Sequence, residues 1–175
     1  LLRRVGPHLR QLAPAGAPFE REAVLHALSP PADRRPAVSL SDLDGDGALD
    51  VFVAGAGSLR ASNLVLRGAG TVREAVPGHP LAAVPDVRAA LWGDIDNDGR
   101  VDAVLVRGDG RTLVWRQSAA NIWQDVTTAS RAATPGVDAI DGALFDADHD
   151  GDLDLWLTNA RGPDVLLNNN GNGTF

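Results

Sequence analysis

Apolar residues in this chain come in short runs rich in valine and leucine, each closed off by turn-forming residues. The middle of the chain shows the pattern best. A short apolar segment at 89–93 runs into an acidic turn, and "VDAVLVRG" from Val101 then reads as a strand because its β-branched residues suit a pleated, buried surface. "GDG" at 108–110 is a turn signal, and "TLVWRQ" from Thr112 supplies a further strand across it. "NIWQDVT" at 121–127 supplies another, giving four short strands in about fifty residues with no helix of convincing length.

The same spelling occurs three times. "DLDGDGALD" begins at Asp42, "DIDNDGRVD" at Asp94 and "DADHDGDLD" at Asp146, at intervals of 52 and 52 residues. Apolar positions keep the same step: Leu40, Trp92 and Leu144 are equivalent, as are Phe52, Val104 and Trp156. Equal spacing of this kind marks one structural unit used repeatedly, with the repeated apolar positions forming a shared core. The first copy carries about three extra residues between Val53 and Leu64, in a region expected to be a surface turn. "FEREAVLHAL" at 19–28 has local helical character, yet it fills the slot of the strands led by Val72 and Trp123, so a strand is expected there.

Four-stranded antiparallel units at this period are expected to be β-propeller blades. The predicted architecture is therefore all-β, an incomplete propeller of about three repeats: residues 1–18 as the tail of a preceding repeat, then 19–71, 72–122 and 123–175. Closed propellers usually need four to eight blades, so the chain is expected to be a segment of a larger protein.

Composition narrows the function. The formal net charge is −7, but 13 of the 23 acidic residues lie in the three loops at 42–50, 94–102 and 146–154, and the rest of the chain carries a net positive charge. All 16 basic residues are arginine, scattered without an aromatic-lined stripe, so nucleic-acid binding has no support. No run is long enough to predict a membrane span. There is no cysteine, hence neither a disulfide framework nor a thiolate metal site. His8, His26, His79 and His149 show no ligand spacing, and no nucleophile elbow or phosphate loop is present, so no enzyme is expected. Trp92, Trp115, Trp123 and Trp156 stand where other copies have Leu, Val or Phe, which makes them core residues before they are a sugar-binding face. "NGT" at 172–174 matches a glycosylation acceptor but reads first as a hairpin turn.

The loops carry the chemistry. Like charges crowded into one turn repel unless a cation sits among them. Calcium takes six to eight oxygens in a flexible shell, and alternate residues of a tight loop can aim carboxylates inward: Asp42, Asp44 and Asp46; Asp94, Asp96 and Asp98; Asp146, Asp148 and Asp150. Position 6 is glycine in each copy, and position 4 holds Gly45, Asn97 or His149, residues that tolerate positive φ. The apolar residue at position 8, Leu49, Val101 or Leu153, is expected to plug each loop into the core. For a lone copy a solvated acidic turn is the lesser reading, at roughly one in three; three copies in phase make it remote. An EF-hand would need a glutamate at position 12, where Val53, Leu105 and Leu157 stand, and magnesium seldom accepts an all-protein cage.

These loops, with the hairpin "LLNNNGNGTF" at 166–175, resemble the FG-GAP and VCBS repeats of integrin α-subunit propellers and many bacterial surface proteins. The resemblance implies that a backbone carbonyl at position 7 (Ala48, Arg100, Asp152) and an acid at position 9 (Asp50, Asp102, Asp154) complete each shell, for about three Ca2+ per chain. It further implies a non-catalytic interaction or adhesion module, extracellular, on a bacterial surface or in the periplasm. Its partners would be a protein or glycan ligand, or neighbouring blades or chains. A fibre subunit and the propeller part of a polysaccharide-acting enzyme are the alternatives.

Overall fold

A computed structural model describes residues 2–5, 8–11, 36–56, 63–69 and 72–175. The segment 19–28 lies outside the described residues. The described strands are β1 (Leu2–Val5), β2 (His8–Gln11), β3 (Ala37–Ser41), β4 (Asp50–Ala54), β5 (Leu64–Ala69), β6 (Val72–Ala75), β7 (Val87–Gly93), β8 (Asp102–Arg107), β9 (Thr112–Ala119), β10 (Ile122–Asp125), β11 (Ala139–Phe145), β12 (Asp154–Asn159) and β13 (Val165–Leu167). Among the described residues helix is confined to a 3-10 turn at Pro80–Ala83 and a single turn, α1, at Thr127–Ser130. Among the described residues no helix is long and apolar enough to cross a membrane.

Among the described residues all neighbouring strands pair antiparallel, in three sheets. The middle sheet has the expected four strands in the order β10-β9-β8-β7. The first has the same four, β6-β5-β4-β3, extended at β6 by the β1-β2 hairpin through Leu9↔Arg73 and Arg10↔Val72. The third is β11-β12-β13. The turn expected in its closing hairpin forms, with the Asn170 N–H donating to Thr174 O at 2.9 Å. The fold is thus all-β, built from propeller-type blades that form no closed ring among the described residues.

The sheets stack face to face, which explains the continuous apolar run in the second strand of the middle copy. Along β8, Ala103 and Leu105 join the core shared with the first sheet, whereas Val104 and Val106 join the core shared with the third; all four are 0% exposed. Burial on both faces turns the usual alternation of a strand into a continuous apolar run. Trp92 and Trp123 lie in the first of these cores: Trp92 meets Phe52 edge-on at 5.4 Å, donates to Ser39 Oγ at 2.8 Å, and lies 6.3 Å from Trp123. One rule therefore joins successive sheets: Phe52 packs toward Trp92, and Val104 shares a core with Leu144. At the two ends the rule has no counterpart among the described residues. Val38 and Leu40 of β3 are 65% and 57% exposed; Phe145, Trp156 and Leu166 are exposed together on the outer face of the third sheet. Trp156 consequently differs from the core tryptophans the sequence led us to expect.

Candidate metal centres

Each acidic loop joins two neighbouring strands of its sheet: β3 to β4, β7 to β8, β11 to β12. Position 1 organises the loop. Asp42 accepts from Gly45, Asp46 and Gly47 N–H, Asp94 from Asp98 and Gly99, and Asp146 from Asp150 and Gly151, at 2.8–3.2 Å. Winding the chain around one carboxylate forces positive φ at position 4 (Gly45 76°, Asn97 60°, His149 65°) and at position 6 (Gly47 83°, Gly99 82°, Gly151 96°). That is why these residue types stand there.

The structure brings together positions 1, 3 and 9. Asp42, Asp44 and Asp50, then Asp94, Asp96 and Asp102, then Asp146, Asp148 and Asp154 each offer oxygens within 4.8 Å of one another. The position-5 residues Asp46, Asp98 and Asp150 stand outside these groups. Their Oδ1 atoms accept the N–H of position 7 (Ala48, Arg100, Asp152) at 2.8–3.0 Å, a local turn that holds those half-buried residues in place.

Position 9 does more than close a shell. Asp50, Asp102 and Asp154 are 2%, 1% and 0% exposed, and each carboxylate receives two backbone N–H groups from opposite sides. One oxygen takes the loop's own position 2 (Leu43, Ile95, Ala147) at 2.8–3.0 Å; the other takes the third strand or its continuation (Gly68, Gln117, Asn169) at 2.6–2.9 Å. The carboxylate is a rivet between loop and sheet.

The apolar plug is at position 2 rather than position 8. Leu43 and Ile95 are each 2% exposed, whereas Leu49 is 52% exposed. Leu153 at position 8 of the third loop lies against the middle sheet, where a Cβ at Gly93 would come within 2.6 Å of its Cδ1. A second tie, unforeseen from the sequence, reaches the position-2 carbonyl from the following sheet. Gln117 Nε2 donates to Leu43 O, and Asn169 Nδ2 donates to Ile95 O at 2.8 Å, each across 74 residues. Gly68, with no side-chain amide to offer, stands at this place in the first sheet.

Position 3 has partners that differ among the copies. Arg67 lies 3.6 Å from Asp44, Arg116 donates to Asp96 Oδ2 at 2.7 Å, and Asn168 donates to Asp148 Oδ2 at 2.6 Å. The Asp96 side chain is 8% exposed, and its Oδ1 has no hydrogen-bond partner. It and Arg116, whose Nε is also unpaired, line a cavity of about 130 Å3.

Charge and burial perturb these groups. Burial pushes the Asp102 carboxyl up to about 6; the Gln117 and Ile95 N–H groups oppose the rise, and Asp96 and Asp98 add to it. Asp50 is raised on the same grounds, burial first. At Asp150 the Asp152 N–H lowers the value, but slight desolvation and the charges of Asp148, Asp152 and Asp146 leave it raised. Because the folded value of Asp102 exceeds the ordinary 3.8, the folded chain keeps a proton that the unfolded chain has released. In chelator its contribution is therefore fully present below about pH 4 and is lost as pH rises through about 6, a loss of roughly 3 kcal/mol. Urea midpoints measured across this range should fall for the parent chain and change less for Asp102→Asn; equal slopes would contradict the assignment.

Three stacked antiparallel sheets, each opened by an Asp-rich loop that converges three carboxylates, define an all-β repeat protein with candidate cation sites. The FG-GAP-like repeat matches residues 42–105 and 94–157, each match running from one acidic loop through the next, and the chain belongs to that family. No curated protein matches it.

Proposed function

We propose that the chain is a calcium-stabilised, non-catalytic interaction module of a larger secreted or surface-displayed propeller protein, its partner a protein or glycan met outside the cell. The observation that carries the reading is the threefold convergence of positions 1, 3 and 9, with Asp96 Oδ1 buried and unpaired. An all-oxygen donor set suits calcium, and an exported setting would fill sites of only about 0.1–1 mM affinity. The bound cation would supply the positive charge that relieves carboxylate repulsion. The chain's own residues set the geometry: position 1 winds the loop, position 5 fixes position 7, and position 9 rivets the loop to its sheet. Membership of a repeat family whose members generally serve recognition, and the lack of a nucleophile constellation in the sequence, support a non-catalytic role.

Calorimetric titration of chelated protein with calcium should show uptake approaching three ions per chain. The melting temperature should rise as well, each site adding about 2.7 kcal/mol at a hundredfold excess over its dissociation constant. Absence of both heat and thermal shift would overturn the reading.

A further inference from the structure

The three loops share one geometry but not one electrostatic setting, and the difference lies in residues outside the Asp-rich motif. At equivalent places after the motif stand Arg67, Arg116 and Asn168, each directed at the position-3 carboxylate of its own sheet. The first loop thus has a guanidinium 3.6 Å from Asp44. The second has one at 2.7 Å from Asp96, and a second one because Arg100 pairs with Asp98. The third has the neutral amide of Asn168 at 2.6 Å and an additional carboxylate, Asp152, at position 7. Among the described residues no arginine pairs with any aspartate from 146 to 154.

We infer that the residue facing the position-3 aspartate sets a hierarchy of cation affinity, with the third loop tightest, the first intermediate and the second weakest. The inference rests on the calcium reading above and deepens it. A guanidinium held on a ligand carboxylate repels an incoming dication and occupies one oxygen the cation would use; an amide occupies the oxygen without the repulsion. A dication about 6 Å from a guanidinium, even in a water-like dielectric, loses on the order of tenfold in affinity, and salt reduces the effect. Asp96 shows the resulting compromise, with Oδ2 bound by Arg116 and Oδ1 left buried without a partner. The second loop therefore keeps its shape by internal ion pairs, while the third depends most on an external ion.

The test is calorimetric titration of the full chain with calcium at low ionic strength. The parent should show resolved classes of site, and Asp148→Asn should abolish the tightest. Asn168→Arg should weaken that class about tenfold, and Arg116→Asn should tighten the weakest class by a similar factor. The two substitutions have opposite signs, so a general loss of stability cannot produce both, and circular dichroism of each variant in calcium checks that it is folded. If calcium binds but all sites are alike, or neither substitution moves its class, the hierarchy is wrong and the calcium reading stands. If the parent chain takes up no calcium, both fall.

Discussion

In millimolar calcium, Asp102→Ala should lose about 3–5 kcal/mol of stability relative to the parent chain, the largest effect expected from any single loop substitution. The carboxylate is 1% exposed and is the acceptor for two buried N–H groups, Ile95 at 3.0 Å and Gln117 at 2.9 Å. Removing it leaves both donors unsatisfied at about 1–3 kcal/mol each, and withdraws one of the three converging carboxylates of its site. Asp98→Ala is the matched control. Asp98 belongs to the same loop, but it accepts only the local Arg100 N–H and pairs with that residue's guanidinium, so its loss should stay near 1 kcal/mol. Urea denaturation followed by tryptophan fluorescence distinguishes them. Equal losses would mean that position 9 is merely another charge in the loop.

Two adjacent asparagines should behave just as differently. Asn169 is 1% exposed; its Nδ2 donates to Ile95 O at 2.8 Å and Leu153 O at 3.1 Å, and its Oδ1 accepts from Gly171 N–H. Asn169→Ala strands a buried carbonyl in the second loop and another in the third, at an expected 2–4 kcal/mol, about the cost of two lost buried bonds. Asn168 is exposed, and its truncation should cost about 0.5 kcal/mol, typical of a surface site. Hydrogen exchange adds a spatial check: in Asn169→Ala the amides around Ile95, on the preceding sheet, should lose protection. Exchange confined to the third sheet would show that the amide does not clasp its neighbour.

Strands and loops were legible in the sequence because their causes are local. Alternate aspartates, the glycine at position 6 and a β-branched run each act within ten residues, and the tolerance for positive φ at position 4 could be read from Gly45, Asn97 and His149 alone. The long-range ties were not. Gln117 and Asn169 repeat at the 52-residue step and follow apolar strands, which is a visible signal, but only the stacking reveals that each serves a loop 74 residues earlier. Position 8 reads as the plug in the sequence because apolarity shows that a side chain wants cover without showing what provides it; Leu49 and Leu153 share a motif and differ in their neighbours. Arg67 and Arg116 are likewise unremarkable in the sequence, since an arginine's target cannot be read from its own surroundings.

The amide clasps shift the boundary of what counts as one unit. The first and second loops take their aspartates from their own sheets, while the peptide carbonyl beside the first ligand is held by the sheet that follows. Excising or exchanging the second or third repeat would therefore disturb two centres, the one it carries and the one it completes, and transplantable pieces of this architecture would have to be cut through the sheets rather than between them.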